Sequence, residues 1–271
     1  MKLMFITNEV AVAGILEDTG VDRVFVDLER VGKQERQGGM DTVQSLHTIE
    51  DVKAIRPVLK NSELLVRTNP IYADTKREIE EVLKAGADVL MLPYFRTVEE
   101  VKTFLRCVRG RAKTMLLFET PQAVACADEI LSLDGIDECY VGLNDLHLGY
   151  GRKFLFELLA DGTTDALCEK FERHGKPYGF GGIARIGTGT LSADHILKEH
   201  IRLGSSRVIL SRSFCNPKAY ESVTEVRTVF ETEVAKLRLA EQAYRRLDAD
   251  ALKENHVAVQ RIVASIVEGM A

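Results

Sequence analysis

The sequence predicts an α/β fold, a (β/α)8 TIM barrel, with an additional helical C-terminal extension. Three observations predict it. Short apolar runs of strand length alternate with stretches of helical periodicity throughout residues 1–216. Several of those runs stop on a charged residue, where a barrel places its chemistry. The runner-up, an open doubly wound sheet, lacks the glycine fingerprint it usually carries after its first strand. At 271 residues the chain is long enough for one large domain or two small ones, and a single barrel typically takes about 250 residues.

Residues 3–7 read as the first strand and 10–17 as a helix. Residues 23–27 (RVFVD) form the second strand, which ends on Asp27. The polar stretch that follows holds Glu29, Arg30, Lys33 and Arg36 and runs through Gly39. It is longer and more charged than an ordinary βα turn, and long loops at strand ends tend to be functional; the plain alternative is solvated surface. Residues 48–58 read as a helix with Thr48 as N-cap and Asp51 in the capping-box position. The third strand, 63–67 (ELLVR), ends on Arg67. An arginine there is either a surface ion-pair partner or a fixed cation for a substrate carboxylate or developing enolate oxygen. A helix at 75–85 closes on Gly86. The fourth strand is 88–92, and a helix at 97–108 opens with Thr97 and Glu100 in a second capping box.

The stretch from Lys113 to Tyr150 is the centre of the chain. Residues 114–118 and 138–143 read as buried parallel strands. The helix 121–131 joins them, with Pro121 in its first turn. A βαβ unit in a parallel sheet points both strand ends the same way, so Glu119 and Asp145 project from one rim. Two carboxylates converging on a cleft suit a hard divalent cation such as Mg²⁺ or Mn²⁺. A single carboxylate after a strand is as often only a helix N-cap; the pair points to a site.

Helical pieces at 152–160 and 164–174 follow, then a seventh strand at 177–180. It runs into a glycine-rich turn from Gly181 to Gly187 that lets backbone approach a ligand but lacks the ending of a P-loop. A helix at 192–203 and an eighth strand at 207–210 (RVIL) complete the barrel, with Ser211, Arg212 and Ser213 on its rim. The chain therefore divides into a catalytic barrel, 1–216, and C-terminal helices, 217–271. The latter exceed what a barrel needs to close. They are expected to pack against a neighbouring subunit or fold back on the barrel.

Composition narrows the function classes. Hydrophobic residues at 45% supply a full core. A net charge of −5 with both signs interspersed argues against nucleic acid as a partner. The five cysteines, Cys107, Cys126, Cys139, Cys168 and Cys215, include no CxxC pair. They fit neither a zinc finger nor a disulfide framework, and they suit a reducing cytoplasm. The first residues read as a strand rather than a signal peptide, and no apolar run reaches the ~20 residues that span a bilayer. The expectation is a soluble, cytoplasmic protein with no membrane partner.

Several segments taken in order resemble one family. They are Glu119-Thr120-Pro121, Asp128-Glu129-Ile130, Gly135-Ile136-Asp137 and Gly142-Leu143-Asn144-Asp145-Leu146. With VDLE at 26–29, VRTNP at 66–70 and GADVLMLP at 86–93, the set is similar to the HpcH/HpaI aldolase / citrate lyase family, over residues 3–216. The resemblance implies a pyruvate/phosphoenolpyruvate-type barrel with a divalent metal on Glu119 and Asp145. It implies that Arg67 steadies an enolate oxygen. Backbone N–H groups beside the Asp would hold the substrate carboxylate, which assigns substrate binding to Gly142, Leu143 and Asn144. The implied activity is a metal-dependent carbon–carbon lyase acting on a small 2-keto acid and an aldehyde, or on a CoA thioester. The implied assembly is a homo-oligomer, a trimer or hexamer.

This chemistry suits the residues independently. Proton loss beside a carbonyl leaves charge on oxygen, and a metal and a guanidinium stabilise it. No lysine stands at the strand ends Asp27, Arg67, Pro93, Glu119 or Asp145, which disfavours a Schiff-base aldolase. One departure matters. Many aldolase members carry Asp-x-Glu-His after the second strand; here the segment is Asp27-Leu28-Glu29-Arg30, which leans toward the citrate-lyase-like branch. Glu29 and Arg30 are assigned to the acid/base or aldehyde side. Glu29, a water on the metal, or His147 are the proton-transfer candidates; His47 lies too far along the chain to replace the missing histidine. Two rivals stand: a CoA-thioester lyase with Lys33, Arg36, Arg185 and Arg212 as its basic rim, and a barrel that binds a metabolite without turnover.

Overall fold

A computed structural model describes residues 1–32 and 46–270. Eight parallel strands close a barrel in sequence order, with the first paired to the last. They are β1 Lys2–Ile6, β2 Arg23–Asp27, β3 Glu63–Arg67, β4 Val89–Leu92, β5 Lys113–Phe118, β6 Glu138–Val141, β7 Tyr178–Ile183 and β8 Arg207–Leu210. The described helices are α1 Val10–Asp18, α2 Ile49–Ile55, α3 Thr75–Lys84, α4 Val98–Val108, α5 Pro121–Ala125, α6 Ala127–Leu131, α7 Leu143–Gly149, α8 Glu157–Ala160, α9 Thr163–Arg173, α10 Ala193–Arg202, α11 Val223–Tyr244 and α12 Ala249–Glu268. None is long and apolar enough to cross a membrane.

Near-continuous apolar strands are covered on both faces, as a parallel barrel requires. The two-residue period separates two cores. Met4, Phe25, Leu65, Met91, Met115, Leu117 and Tyr140 form a small cluster of their own inside the barrel. Their alternates, including Val24, Val66, Leu90, Leu116, Phe118 and Val141, join the larger core under the helices. Both capping boxes form: Thr48 N–H donates to Asp51 at 2.7 Å and Thr97 N–H to Glu100 at 2.9 Å.

The structure corrects several boundaries. The helix expected over 121–131 is two short pieces that meet at Cys126, whose backbone leaves the helical region. The strand expected over 138–143 stops at Val141, because the next residues wind into α7. Only Glu157–Ala160 of the piece expected over 152–160 is helical; the Glu157 carboxylate instead accepts the backbone N–H groups of Lys153 and Phe154 at 2.7 and 2.8 Å. Gly181 and Gly182, read as a turn, belong to β7, whose pairing with β8 shifts between Gly179 and Gly182. A Cβ on Gly179 would lie 2.1 Å from the Arg207 carbonyl. The Tyr140 hydroxyl fills the irregularity, accepting the Ile209 N–H at 2.9 Å and donating to the Gly181 carbonyl at 2.6 Å.

The C-terminal helices fold back on their own barrel. Helix α11 packs on α1 and α12 on α10 and α8. Phe230 of α11 meets Phe5 of β1 edge-on at 4.9 Å. Asn255 of α12 donates to Glu199 of α10 at 2.9 Å. At the opposite end of the barrel from the strand tips, Arg23, fully buried, bridges Glu138 at 2.5 and 2.7 Å and Glu63 at 2.7 Å. Arg207 joins Glu138 at 2.9 Å.

Candidate active site

The carboxyl ends of the strands surround a cavity of about 880 Å³. Asp27, Arg67, Glu119, Gly142, Leu143, Asn144 and Asp145 all line it, with Phe25, Met91 and Leu117 as its apolar floor. The strand ends of β2, β3, β5 and β6 therefore bring together most of the residues singled out in the sequence. Glu29 and Arg30 are not on this wall.

Glu119 follows β5 directly. It is not the cap of the next helix; Thr120 takes that role, accepting the Ala123 N–H at 3.1 Å and donating to the Phe95 carbonyl at 2.8 Å. That leaves the Glu119 side chain on the cavity wall, almost completely buried. Its Oε1 accepts the backbone N–H of Tyr94 at 2.9 Å. Tyr94 adopts a left-handed backbone, φ 48°, a conformation costly for a residue with a Cβ and commonest at functional sites. Burial, then the neighbouring charges of Glu29 and Asp145, push the Glu119 carboxyl well above its usual range; Arg67 and the Tyr94 N–H oppose this only in part. Asp145 reaches the cluster from the first turn of α7 and is half-buried.

Arg67 lies opposite Asp27 in the β2–β3 register. Its guanidinium donates twice to the Asp27 carboxylate, both at 2.8 Å, and lies 3.5 Å from Glu29. Burial works against the Arg67 charge, but Asp27 and Glu29 outweigh it and hold the guanidinium firmly protonated. The side chain is thus fixed through Nε and Nη2, and Nη1 makes no hydrogen bond among the described residues.

A family model for the HpcH/HpaI aldolase/citrate lyase family matches residues 2–185, more than half of the chain. The chain belongs to this family. Membership supports an enzyme of the lyase/aldolase type. Solved structures agree on the fold. An HpcH/HpaI aldolase from Desulfitobacterium hafniense DCB-2 is 15% identical, with a TM-score of 0.61 over 92% of this chain and 94% of that one. An HpcH/HpaI aldolase/citrate lyase family protein from Burkholderia cenocepacia J2315 is 16% identical, with a TM-score of 0.62 over 83% and 94%. The citrate synthase SbnG is 16% identical, with a TM-score of 0.61 over 89% and 93%. A search of curated protein sequences finds no match.

The cavity departs from the sequence expectations around Arg30. Arg30 is exposed and its guanidinium donates to the His47 carbonyl at 2.8 Å. The backbone N–H groups of Arg30 and Val31 go to the Asn69 side chain at 2.7 and 2.9 Å, and Glu78 in turn holds Asn69. Glu29 is buried beside Arg67. His47, set aside by sequence distance, lines the cavity. The Asp27 N–H donates to its Nδ1 at 3.0 Å, which places the neutral ring's proton on Nε2. The signal was its position immediately before the N-cap Thr48, where a loop that leaves the rim must return to it. His147 is buried inside α7 with its ring on the Leu143 carbonyl at 3.1 Å, a packing role.

Of the four basic residues read as a rim, Arg185 is committed elsewhere: it donates to the Phe214 carbonyl and the Tyr220 hydroxyl, both at 2.6 Å. Arg212 lines the cavity, and Lys33 and Arg36 lie outside the described residues.

Gly142 controls the Glu119 position. A Cβ there would lie 2.8 Å from both Cβ and Oε2 of Glu119 and 3.2 Å from Leu117. Its φ of −82° is open to any residue, so the requirement is space, not backbone strain. Gly142→Ala is expected to displace the carboxylate and lower activity by ~10–100-fold, the range of a disturbed supporting contact. Circular dichroism spectra should remain native; an unchanged turnover would show that Glu119 can move without consequence.

Proposed function

We propose that this chain is a divalent-metal-dependent carbon–carbon lyase that works through the enolate of pyruvate or a related 2-keto acid, in reversible aldol cleavage and condensation. One observation carries the reading. Glu119 and Asp145 face one cavity with Arg67, and the Glu119 carboxyl, held up by its burial and by Glu29 and Asp145, lies almost completely buried there. Two carboxylates facing one cavity fit a divalent cation, and hard carboxylate oxygens suit Mg²⁺ or Mn²⁺. Among the described residues no group of three His, Cys, Asp or Glu side chains forms a metal cage. Glu119 and Asp145 would hold the ion as two protein ligands, leaving its other positions to substrate and water. When bound, the metal supplies Lewis-acid stabilisation of the enolate oxygen.

The chain's own residues account for the rest. Arg67, already fixed by Asp27, offers Nη1 to the same oxygen at no further cost of ordering. Helix α7 begins at Leu143, and its first-turn N–H groups lack intrahelical acceptors, which suits the substrate carboxylate beside Asn144. Phe25, Met91 and Leu117 keep the reacting carbons out of water. His47 lines the cavity with its Nδ1 accepting the Asp27 N–H, which suits the ring to the aldehyde side of the site. In cleavage of a 4-hydroxy-2-keto acid, the C4 hydroxyl gives its proton to water and becomes the aldehyde carbonyl as the C3–C4 bond breaks; the electrons of that bond become the enolate, and a proton taken from water onto C3 gives the methyl group of the released 2-keto acid.

The test is exchange of pyruvate methyl protons in D₂O, followed by NMR with Mg²⁺, Mn²⁺ or no metal. It requires no second substrate. The expected result is metal-dependent exchange that His47→Gln leaves unchanged, while turnover with aldehyde falls at least about tenfold in that variant. Absence of exchange with every metal, in folded protein that binds the ion, would overturn the enolate reading.

A further inference from the structure

Residues 30 and 47 are seventeen apart in sequence and meet at the rim, where Nη2 of Arg30 donates to the His47 carbonyl at 2.8 Å. That carbonyl and the Thr48 N–H belong to one planar peptide unit. The Thr48 N–H donates to the Asp51 carboxylate at 2.7 Å, where α2 starts. The plane is therefore held at both ends, by Asp51 on the helix side and by Arg30 on the β2 side. The ring has a third hold, the Asp27 N–H on its Nδ1 at 3.0 Å. Among the described residues no carboxylate pairs with Arg30, although it is exposed and charged. Ordering such a side chain costs entropy, and here the ordered bond goes to the backbone of a residue that lines the cavity.

The base from which Arg30 reaches is itself fixed. Its own N–H and that of Val31 converge on the Asn69 side-chain oxygen at 2.7 and 2.9 Å. Glu78 of α3 sets which way that amide faces: one carboxylate oxygen accepts the Asn69 backbone N–H at 3.0 Å and its Nδ2 at 2.8 Å. An oxygen that accepts one donor there takes the amide nitrogen as its second, which turns the amide oxygen toward Arg30. Pro70, next in the chain, disfavours a helical backbone at Asn69. On the other side, the Leu28 N–H donates to the Arg67 carbonyl at 2.9 Å and the Glu29 N–H to Asp27 at 3.2 Å. The chain that carries Arg30 is thus tied to β3 and α3 before its guanidinium reaches across to His47.

We infer that Arg30 is a positioning residue for His47: by holding the His47–Thr48 peptide plane from the β2 side, its guanidinium sets where the His47 ring stands in the cavity. Arg30 touches no reacting atom and acts through His47 alone. Without it the plane hangs on Asp51 only, and the ring can turn away from the Asp27 N–H. The catalytic consequence rests on the lyase reading; the placement of the ring does not.

The experiment compares the full chain with Arg30→Met, which keeps an unbranched stem and removes every donor, and Arg30→Lys, which keeps a charged donor. The position is exposed and tolerates substitution. Side-chain ¹⁵N NMR at about pH 8.5, well above the ordinary imidazole pKa, reads the ring directly, with the His47 signals assigned by their loss in His47→Gln. A ring whose Nδ1 is held as acceptor gives two widely separated nitrogen signals; a ring that exchanges tautomers gives two that draw together. Wild type and Arg30→Lys should show the first pattern and Arg30→Met the second. Condensation of pyruvate with glycolaldehyde should slow about three- to tenfold in Arg30→Met, less than the ~100-fold that a 1 Å misplacement can cost, and recover in Arg30→Lys. Added to His47→Gln, Arg30→Met should change the rate by less than about twofold, because its effect passes through the ring that is gone. Unchanged nitrogen signals in Arg30→Met, or a loss of rate that adds in full to that of His47→Gln, would overturn the inference. No condensation and no proton exchange in any form of the protein would sink the lyase reading, and the nitrogen signals would still decide whether Arg30 places the ring.

Discussion

Glu119→Gln should make the metal-free protein more stable and the enzyme inactive. In the folded chain the Glu119 carboxyl is held well above its ordinary value by burial and by Glu29 and Asp145. A carboxyl raised in the folded state binds its proton more tightly there than in the unfolded chain. Its ionisation therefore opposes folding, increasingly as pH rises above the unfolded value near 4.5. The amide keeps the shape and the oxygen that accepts the Tyr94 N–H, and it removes the charge. At neutral pH the melting temperature should rise, each 1 kcal/mol corresponding to roughly 2–4 °C in a domain of this size. Pyruvate exchange should fall by more than about a hundredfold, beyond the 10–100-fold typical of residues that only support a metal ligand. Below about pH 4 wild type and variant should converge, because both then carry a neutral group. Added Mg²⁺ or Mn²⁺ should stabilise wild type and not the variant, through mass action on the folded state. A variant less stable than wild type at pH 7 would mean that the charge is already neutralised in solution.

Much of the barrel could be read from residues alone because its determinants are local. The alternation of apolar runs with amphipathic stretches set strand and helix identity, and Thr48/Asp51 and Thr97/Glu100 placed two helix starts where the capping boxes form. Glu119 and Asp145 share a cavity because parallel strands bring their ends to one rim. What escaped depends on partners distant in sequence. Arg67 was legible as a rim cation, but its bidentate bond to Asp27 requires the β2–β3 register. His47 seemed remote because distance along a loop says nothing about where the loop returns. The glycines at 181 and 182 have the composition of a turn, and only the Tyr140 hydroxyl, wedged between β7 and β8, makes them a bulged strand. Arg185 looked like a rim cation until its partners Phe214 and Tyr220 came into view. The C-terminal helices have an apolar face that sequence cannot assign to this barrel or to another copy; Phe230 against Phe5 decides that part of it packs at home.

Glu138→Ala is expected to cost about 3–5 kcal/mol of stability. Glu138 begins β6 and looks in sequence like one more strand residue. In the barrel it is the acid between Arg23, fully buried, and Arg207, nearly so. Removing one partner of a buried pair leaves the other charge without water or counter-ion, which is worth about that much. Here one truncation strands two guanidiniums, with Glu63 left to compensate Arg23 alone at 2.7 Å. The exposed Lys53–Glu50 pair at 2.7 Å is a control, since such pairs contribute about 0–1 kcal/mol and are screened by salt. Urea denaturation should show the Glu138→Ala midpoint displaced strongly and nearly independently of salt, with the slope unchanged. The pH profile should follow. The Glu138 carboxyl is held below its usual range by Arg23 and Arg207 against its burial, and that of Glu63 is lowered to about 2 by Lys113, Lys2 and Arg23, also against burial. Carboxyls depressed in the folded state contribute stability that is complete above the unfolded value near 4.5 and is lost as pH falls toward the folded one. Wild type should therefore weaken between about pH 4.5 and 2, and Glu138→Ala should weaken less over the same interval. A loss below about 1 kcal/mol would mean that water reaches the arginines from the barrel's lower end. That outcome would also change the view of the site, because a wet lower barrel could not keep the floor of Phe25, Met91 and Leu117 dry beneath the carboxylates.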